Sequence, residues 1–200
     1  MNRLLAASLI IASMASQSAF AAAVPGSAAP DFVLPDITGK AQKLSDYRGK
    51  YVVVEWFNQG CPFVQKHYES GNMQGLQQKY TSKGVVWLSV NSSAAGKQGN
   101  YSPAEWKKLS AERNALASAI LLDADGATGK AYGAKTTPHM YIIDQKGILQ
   151  YAGAIDSTPS KDADDIKTSQ NYVSSALDEL LSGKPVKTKS TKAYGCSVKY

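Results

Sequence analysis

Cysteine and histidine are both scarce in this chain, with two of each in 200 residues. A pair of cysteines cannot frame a disulfide-built scaffold, and a chain of this length buries enough apolar surface to do without one. Cys61, His67, His139 and Cys196 are the soft metal ligands on offer, and their spacing matches no compact metal motif. Haem, flavin and nucleotide fingerprints are missing, so no cofactor is expected. Beyond the N-terminal segment no apolar run nears the ~18 residues of a membrane helix, which argues against stable membrane insertion. No internal repeat stands out. The charge excess is modest, 22 Lys and Arg against 16 Asp and Glu, and much of it gathers at Lys184, Lys187, Lys189, Lys192 and Lys199. Without a recognised nucleic-acid motif, that cluster reads as a solvated basic tail, and no nucleic-acid partner is expected.

What is present begins with an export pattern. Met1 to Arg3 is a short positive start, Leu4 to about Ala15 an apolar stretch, and Ala19-Phe20-Ala21 a cleavage site, with Ala21-Ala22-Ala23 as a second option. Residues 1–21 are therefore expected to be a signal peptide, 22–182 one domain, and 183–200 a mobile basic tail carrying Cys196. The expected destination is the periplasm, where disulfides persist and thiol chemistry needs a supply of electrons.

The order along the chain alternates β and α. Asp31–Leu34 and Ala41–Leu44 flank a turn and read as an N-terminal hairpin. Lys50–Phe57 is a β-branched, buried strand. A helix is expected from Pro62 to about Tyr80, then a strand over Val85–Asn91. Ser102-Pro103-Ala104-Glu105 is a capping box that opens a helix to about Asn114. Ala119–Leu122 is a third strand, and Asp123–Tyr132 holds a short helix. Thr137-Pro138 precedes a hairpin of His139–Asp144 and Ile148–Ala152, and Ser169–Leu181 is an amphipathic helix.

Cys61 falls where the first long strand turns into a helix. Pro62 takes the first helical position, where its missing N–H costs nothing, so Cys61 stands at or beside the N-cap. The helix dipole and unpaired N–H groups there favour an anion, and a thiolate is one. A redox role is the leading reading. Glu55, among apolar neighbours on the same strand, should have its pKa raised by desolvation toward a value suited to passing protons to and from Cys61; the plain alternative is a strand carboxylate paired with Lys66. Trp56, Phe57, Trp87 and Tyr141 read as core or rim packing.

The segments APDFVLPDITG, LSDYRGKYVVVEWF and AYGAKTTPHMYIIDQKG, with the cysteine at the strand-to-helix turn, resemble the thioredoxin fold, and more narrowly the alkyl hydroperoxide reductase and thiol-specific antioxidant (AhpC/TSA, TlpA-like) redoxins. The resemblance covers about Ala29 to Ser182. It implies an α/β fold, a central mixed β-sheet flanked by helices with an N-terminal β-hairpin, and a thiol-dependent oxidoreductase. Disulfide exchangers of this superfamily carry Cys-x-x-Cys, a carboxylate six residues upstream and a cis-proline loop. Cys61, Glu55 and Thr137-Pro138 match, while Val64 replaces the second cysteine. The cis-proline loop implies that the C=O and N–H of Thr137 are left free to pair with an extended substrate.

The peroxidase branch of the family places proline and threonine ahead of its cysteine and an arginine before the Ile-Ile-Asp strand. Here Val54, Asn58 and Pro138 hold those places. Asn58 is the remaining candidate donor to a peroxide and Lys135 the remaining charge. Two chemistries thus stay open, disulfide exchange with a protein thiol or disulfide and reduction of a small peroxide, each needing an unidentified reductant. A metal-binding or purely structural thioredoxin-fold module is a third reading. Cys196 resolves an intermediate on Cys61 as in some two-cysteine redoxins, staples the tail statically, or pairs with another chain.

Overall fold

The computed structural model describes residues 23–200, so the expected signal peptide lies outside the described residues. A short hairpin comes first, β1 (Val33–Pro35) against β2 (Ala41–Lys43), with Val33 opposite Lys43. Its turn is wound on Asp36, whose Oδ1 accepts from the N–H of Thr38 (2.8 Å) and of Lys40 (3.1 Å). β3 (Val52–Trp56) follows and is buried along its whole length.

The helix expected over 62–80 is two helices, α1 (Pro62–Glu69) and α2 (Asn72–Thr81). The break is at Gly71, whose φ of 76° lies in the left-handed region that glycine enters at least cost. Then come β4 (Val86–Asn91), α3 (Pro103–Glu112), β5 (Ala119–Leu122) and α4 (Ala127–Tyr132). The capping box forms as read: Ser102 Oγ accepts from Glu105 N–H and the Glu105 carboxylate accepts from Ser102 N–H. The chain closes with β6 (Thr136–Thr137), β7 (His139–Ile143), β8 (Leu149–Gly153), α5 (Tyr172–Leu181) and β9 (Cys196–Ser197).

Five strands make the central sheet in the order β5-β4-β3-β7-β8; β5, β4 and β3 run parallel, and β7 and β8 are antiparallel to their neighbours. Both faces are covered, so strands at its centre are buried along their length and mostly apolar. Val53, Glu55 and Phe57 alternate onto one face, whose core also takes Tyr68, Met73, Trp87, Trp106 and Leu177. Val52, Val54 and Trp56 look the other way, toward Phe32, Leu88, Tyr132 and Tyr141. The central mixed sheet, flanking helices and N-terminal hairpin are those of a thioredoxin-like fold. Among the described residues no helix is long and apolar enough to cross a membrane.

Residues 183–200 correct the expectation of a mobile tail. Val186 is buried, Ala152 N–H donates to Lys189 O (3.1 Å), and Thr191 Oγ1 bonds Tyr151 OH (2.7 Å) and Ala154 N–H (2.9 Å). At the far end Ala94 N–H donates to Lys199 O (2.8 Å) and Tyr200 OH to Ala134 O (2.7 Å). The lysines that gave the segment its tail-like composition are mostly on its outer side, and the anchors are the residues between them.

Candidate active site

The loop that presents Cys61 is built by Asn58. Its Oδ1 accepts from Gly60 N–H (2.9 Å), its backbone O from Cys61 N–H (3.0 Å), and its Nδ2 donates to Gln98 O (3.0 Å). These bonds turn the chain from β3 into α1. Cys61 becomes the N-cap, with extended φ and ψ of −86° and 122°, and Pro62 opens the helix. Asn58 is 3 % exposed and its side chain is engaged within the loop. The expected donor to substrate is therefore a brace of the loop.

Opposite the sulfur stands the Thr137-Pro138 bond, which is cis. As a thiol, Cys61 donates from Sγ to Thr137 O at 3.1 Å. β6 and β9 are antiparallel, with Thr137 across from Cys196 and Thr136 across from Ser197. Both cysteines are free, and Cys61 is wholly buried while Cys196 is half-buried. Burial pushes the Cys61 thiol up, but the Cys196 thiol and the backbone N–H groups of Cys196 and Val64 outweigh it, so its pKa lies below the ordinary value. The Cys196 thiol is pushed the other way, by burial and then by its hydrogen bond and charge repulsion with Cys61. The two thiols are thus shifted in opposite directions.

Glu55 is fully buried, and its cradle was not foreseen. Trp87 Nε1 (2.8 Å) and Ser89 Oγ (2.8 Å) donate to Oε2, and Tyr68 OH donates to Oε1 (3.0 Å). Burial raises its pKa despite these donors, as the strand position led one to expect. Glu55 makes no hydrogen bond to Cys61 or Lys66. Ser89 is its register partner on β4, a neighbour that only strand pairing reveals.

Lys66 instead ends at Asp156, at 3.4 Å, with both side chains essentially buried. His67 Nε2 lies 3.8 Å from the same carboxylate and its Nδ1 meets Asn72 Nδ2 at 2.9 Å. Burial, with a contribution from Lys66, lowers the His67 pKa to about 4. Asp156 Oδ1 accepts from Tyr194 OH, whose ring sits edge-on to Phe63 with centroids 5.8 Å apart. Tyr194 and Asp156 were missed from sequence, where the only hint was a tyrosine two places before the tail cysteine. His139 stacks on Tyr141, 4.5 Å between centroids. Cys61, His67, His139 and Cys196 are not gathered into a metal-ligating cluster, and no such cluster exists among the described residues. Cys61, Thr137, Pro138 and Cys196 do converge; Asn58 braces the loop before Cys61, and Glu55 bonds to Trp87, Ser89 and Tyr68 instead.

The AhpC/TSA family profile matches residues 25–152. The thiol-disulfide oxidoreductase ResA of Geobacillus thermodenitrificans (strain NG80-2) is 34 % identical over 122 residues, 61 % of this chain and 64 % of that relative, so the match spans less than two thirds of the relative's length. An uncharacterized conserved protein from Geobacillus kaustophilus has a solved structure with a TM-score of 0.74 at 30 % identity, covering 88 % of this chain and 92 % of that one. A Chlorobium tepidum structure assigned as a thiol:disulfide interchange protein DsbE has a TM-score of 0.52 at 29 % identity, covering 66 % and 85 %.

Proposed function

The chain belongs to the AhpC/TSA family, and from that premise we propose that it is a thiol-disulfide oxidoreductase in which Cys61 attacks and Cys196 resolves. The observation that carries this is the facing of the two sulfurs across the Thr137 backbone, one lowered in pKa and the other raised. The similarity to ResA, itself a thiol-disulfide oxidoreductase by name, supports it. The Cys61 thiolate attacks one sulfur of a substrate disulfide, forming a mixed disulfide and releasing the other sulfur as a thiolate. Cys196, losing its proton as it reacts, attacks Cys61 Sγ and expels the second substrate thiolate. The substrate disulfide has gained two electrons and the Cys61–Cys196 pair has lost them; an external dithiol reductant returns them. Glu55 is assigned proton transfer at a distance, and Thr137 and Pro138 the docking edge. Export to an oxidising compartment is part of the same reading and rests on the leader-like pattern of Met1–Ala21.

Cys196→Ser tests the pairing. The variant is expected to make the first attack at the parent's rate and then to accumulate mixed disulfide on Cys61, seen by mass spectrometry. Cycling as fast as the parent with the same external thiol removes the resolving role. Parallel assays on a peptide disulfide and on hydrogen peroxide decide the chemistry: rapid, saturable peroxide consumption without disulfide reduction would make the protein a peroxidase.

A further inference from the structure

We propose that residues 195–197 are an internal substrate mimic, a strap that occupies the strand edge at Thr137 and has to lift before Cys61 meets a partner's sulfur. The consequence for turnover rests on the oxidoreductase reading above; the strap itself rests on geometry. An extended peptide that docks by strand addition needs a free backbone edge. The expected edge, Thr136–Thr137, is already taken by Cys196–Ser197, and Val198 N–H extends the pairing to Lys135 O at 3.1 Å. The fit is close: Gly195 has a φ of +133°, and a Cβ there would lie 2.0 Å from Thr137 O. Only glycine lets the strap come this near. Cys61 has no exposed surface beneath it.

The strap is fastened on both sides and weak between. Thr191 is bonded to Tyr151 and Ala154, and Tyr194 is latched to Asp156. Beyond the site, Lys199 and Tyr200 are pinned by Ala94 and Ala134. Between those fasteners the backbone is held by a two-residue strand and the Val198 bond, with Cys196 and Val198 half-buried against the two cores and Cys196 beside Cys61, so a local opening exposes Cys61 without freeing the segment. Thr136 Oγ1, on this seam, is buried without a hydrogen-bond partner, a group that opening would satisfy. Strap and substrate are then mutually exclusive. An incoming disulfide replaces the strap, and the strap's return brings the Cys196 sulfur to the mixed disulfide and drives the product off the same backbone edge.

The test is site-mapped alkylation of the fully reduced full-length chain with iodoacetamide across pH, reading Cys61 alone by peptide mass spectrometry. The plateau rate at high pH reports access to the thiolate, separately from the midpoint. Gly195→Ala is expected to raise that plateau at least about tenfold, equivalent to about 1.4 kcal/mol in opening free energy. A smaller rise overturns the strap. If Gly195→Ala loses the parent's near-UV circular dichroism, Tyr194→Phe, which keeps the ring and removes the latch, is read by the same criterion. Faster alkylation in a protein that reduces no disulfide would uphold the strap and reject the oxidoreductase reading.

Discussion

Glu55 is a carboxyl group on a strand buried at every position, held by three donors and with no salt-bridge partner among the described residues. In the neutral acid one oxygen accepts and the hydroxyl both donates and accepts, whereas glutamine puts there an NH2 that only donates, so Glu55→Gln is expected to destabilise by about 1–3 kcal/mol where the parent's acid is neutral. The pH trend gives a separate readout. A carboxyl whose folded pKa is raised binds its proton more tightly folded than unfolded, so its stabilisation is complete below the ordinary carboxylate range and is lost as pH rises through the folded value. Urea unfolding over a pH series should therefore show the gap between parent and variant narrowing as pH rises. A constant gap would mean that the carboxyl is not shifted. Disulfide reduction by the variant should be slower, with an altered pH profile; an unchanged profile leaves Glu55 a structural residue.

Among the elements, the α1–α2 break matters most because it sets Tyr68 on Glu55. Ending α1 at Glu69 and restarting after Gly71 buries Tyr68, Met73, Leu76, Gln77 and Tyr80, and Gln77 Nε2 donates to Tyr68 OH at 3.3 Å. Gly71 and the nearby Gly75 have open space where a Cβ would go, so backbone conformation alone separates them. Gly71→Ala, at φ +76°, should cost about 1–2 kcal/mol. Gly75→Ala, exposed inside α2, should stabilise by roughly 0.5–1 kcal/mol. Denaturant midpoints moving in the same direction for both would refute this account of the break. The apolar spacing on either side of Ser70-Gly71 suits a single helix, which is why periodicity alone passes over it; the glycine was the legible stop signal.

For the whole molecule, acid should act first through its histidines. Burial holds both His67 and His139 at about 4, His67 with Lys66 and Asp156 beside it and His139 with Lys135 adding repulsion. The unfolded chain takes up their protons near the ordinary value of about 6.5, before the folded one does, so stability is lost as pH falls from there to about 4. Glu55 works against this trend, gaining stability as pH falls through its raised pKa. Replacing both histidines by glutamine should flatten the loss between those limits, measured as unfolding free energy at each pH. An undiminished slope in the double variant would place acid sensitivity elsewhere.

The sequence by itself determined the architecture and half of the site. β-branched runs, the capping box, the Asp and Gly turns and the Pro after Cys61 are local signals, and each acts within a few residues, so apart from the α1–α2 break and the β6–β9 pair the strand and helix order, the hairpins and the cysteine at a helix start were legible. Glu55 was legible for a similar reason: a carboxylate in an apolar strand is unusual wherever it lies. Tertiary structure alone decided what meets what. Trp87 and Ser89 reach Glu55 through the β3–β4 register, Lys66 finds Asp156 rather than Glu55, and the lysine-rich end of the chain becomes a strap because Val186, Thr191, Tyr194 and Tyr200 each find a partner far away in sequence. Such contacts depend on the summed geometry of the packed sheet and helices, which no local pattern encodes; the placement of Cys196 over Cys61 is one of them.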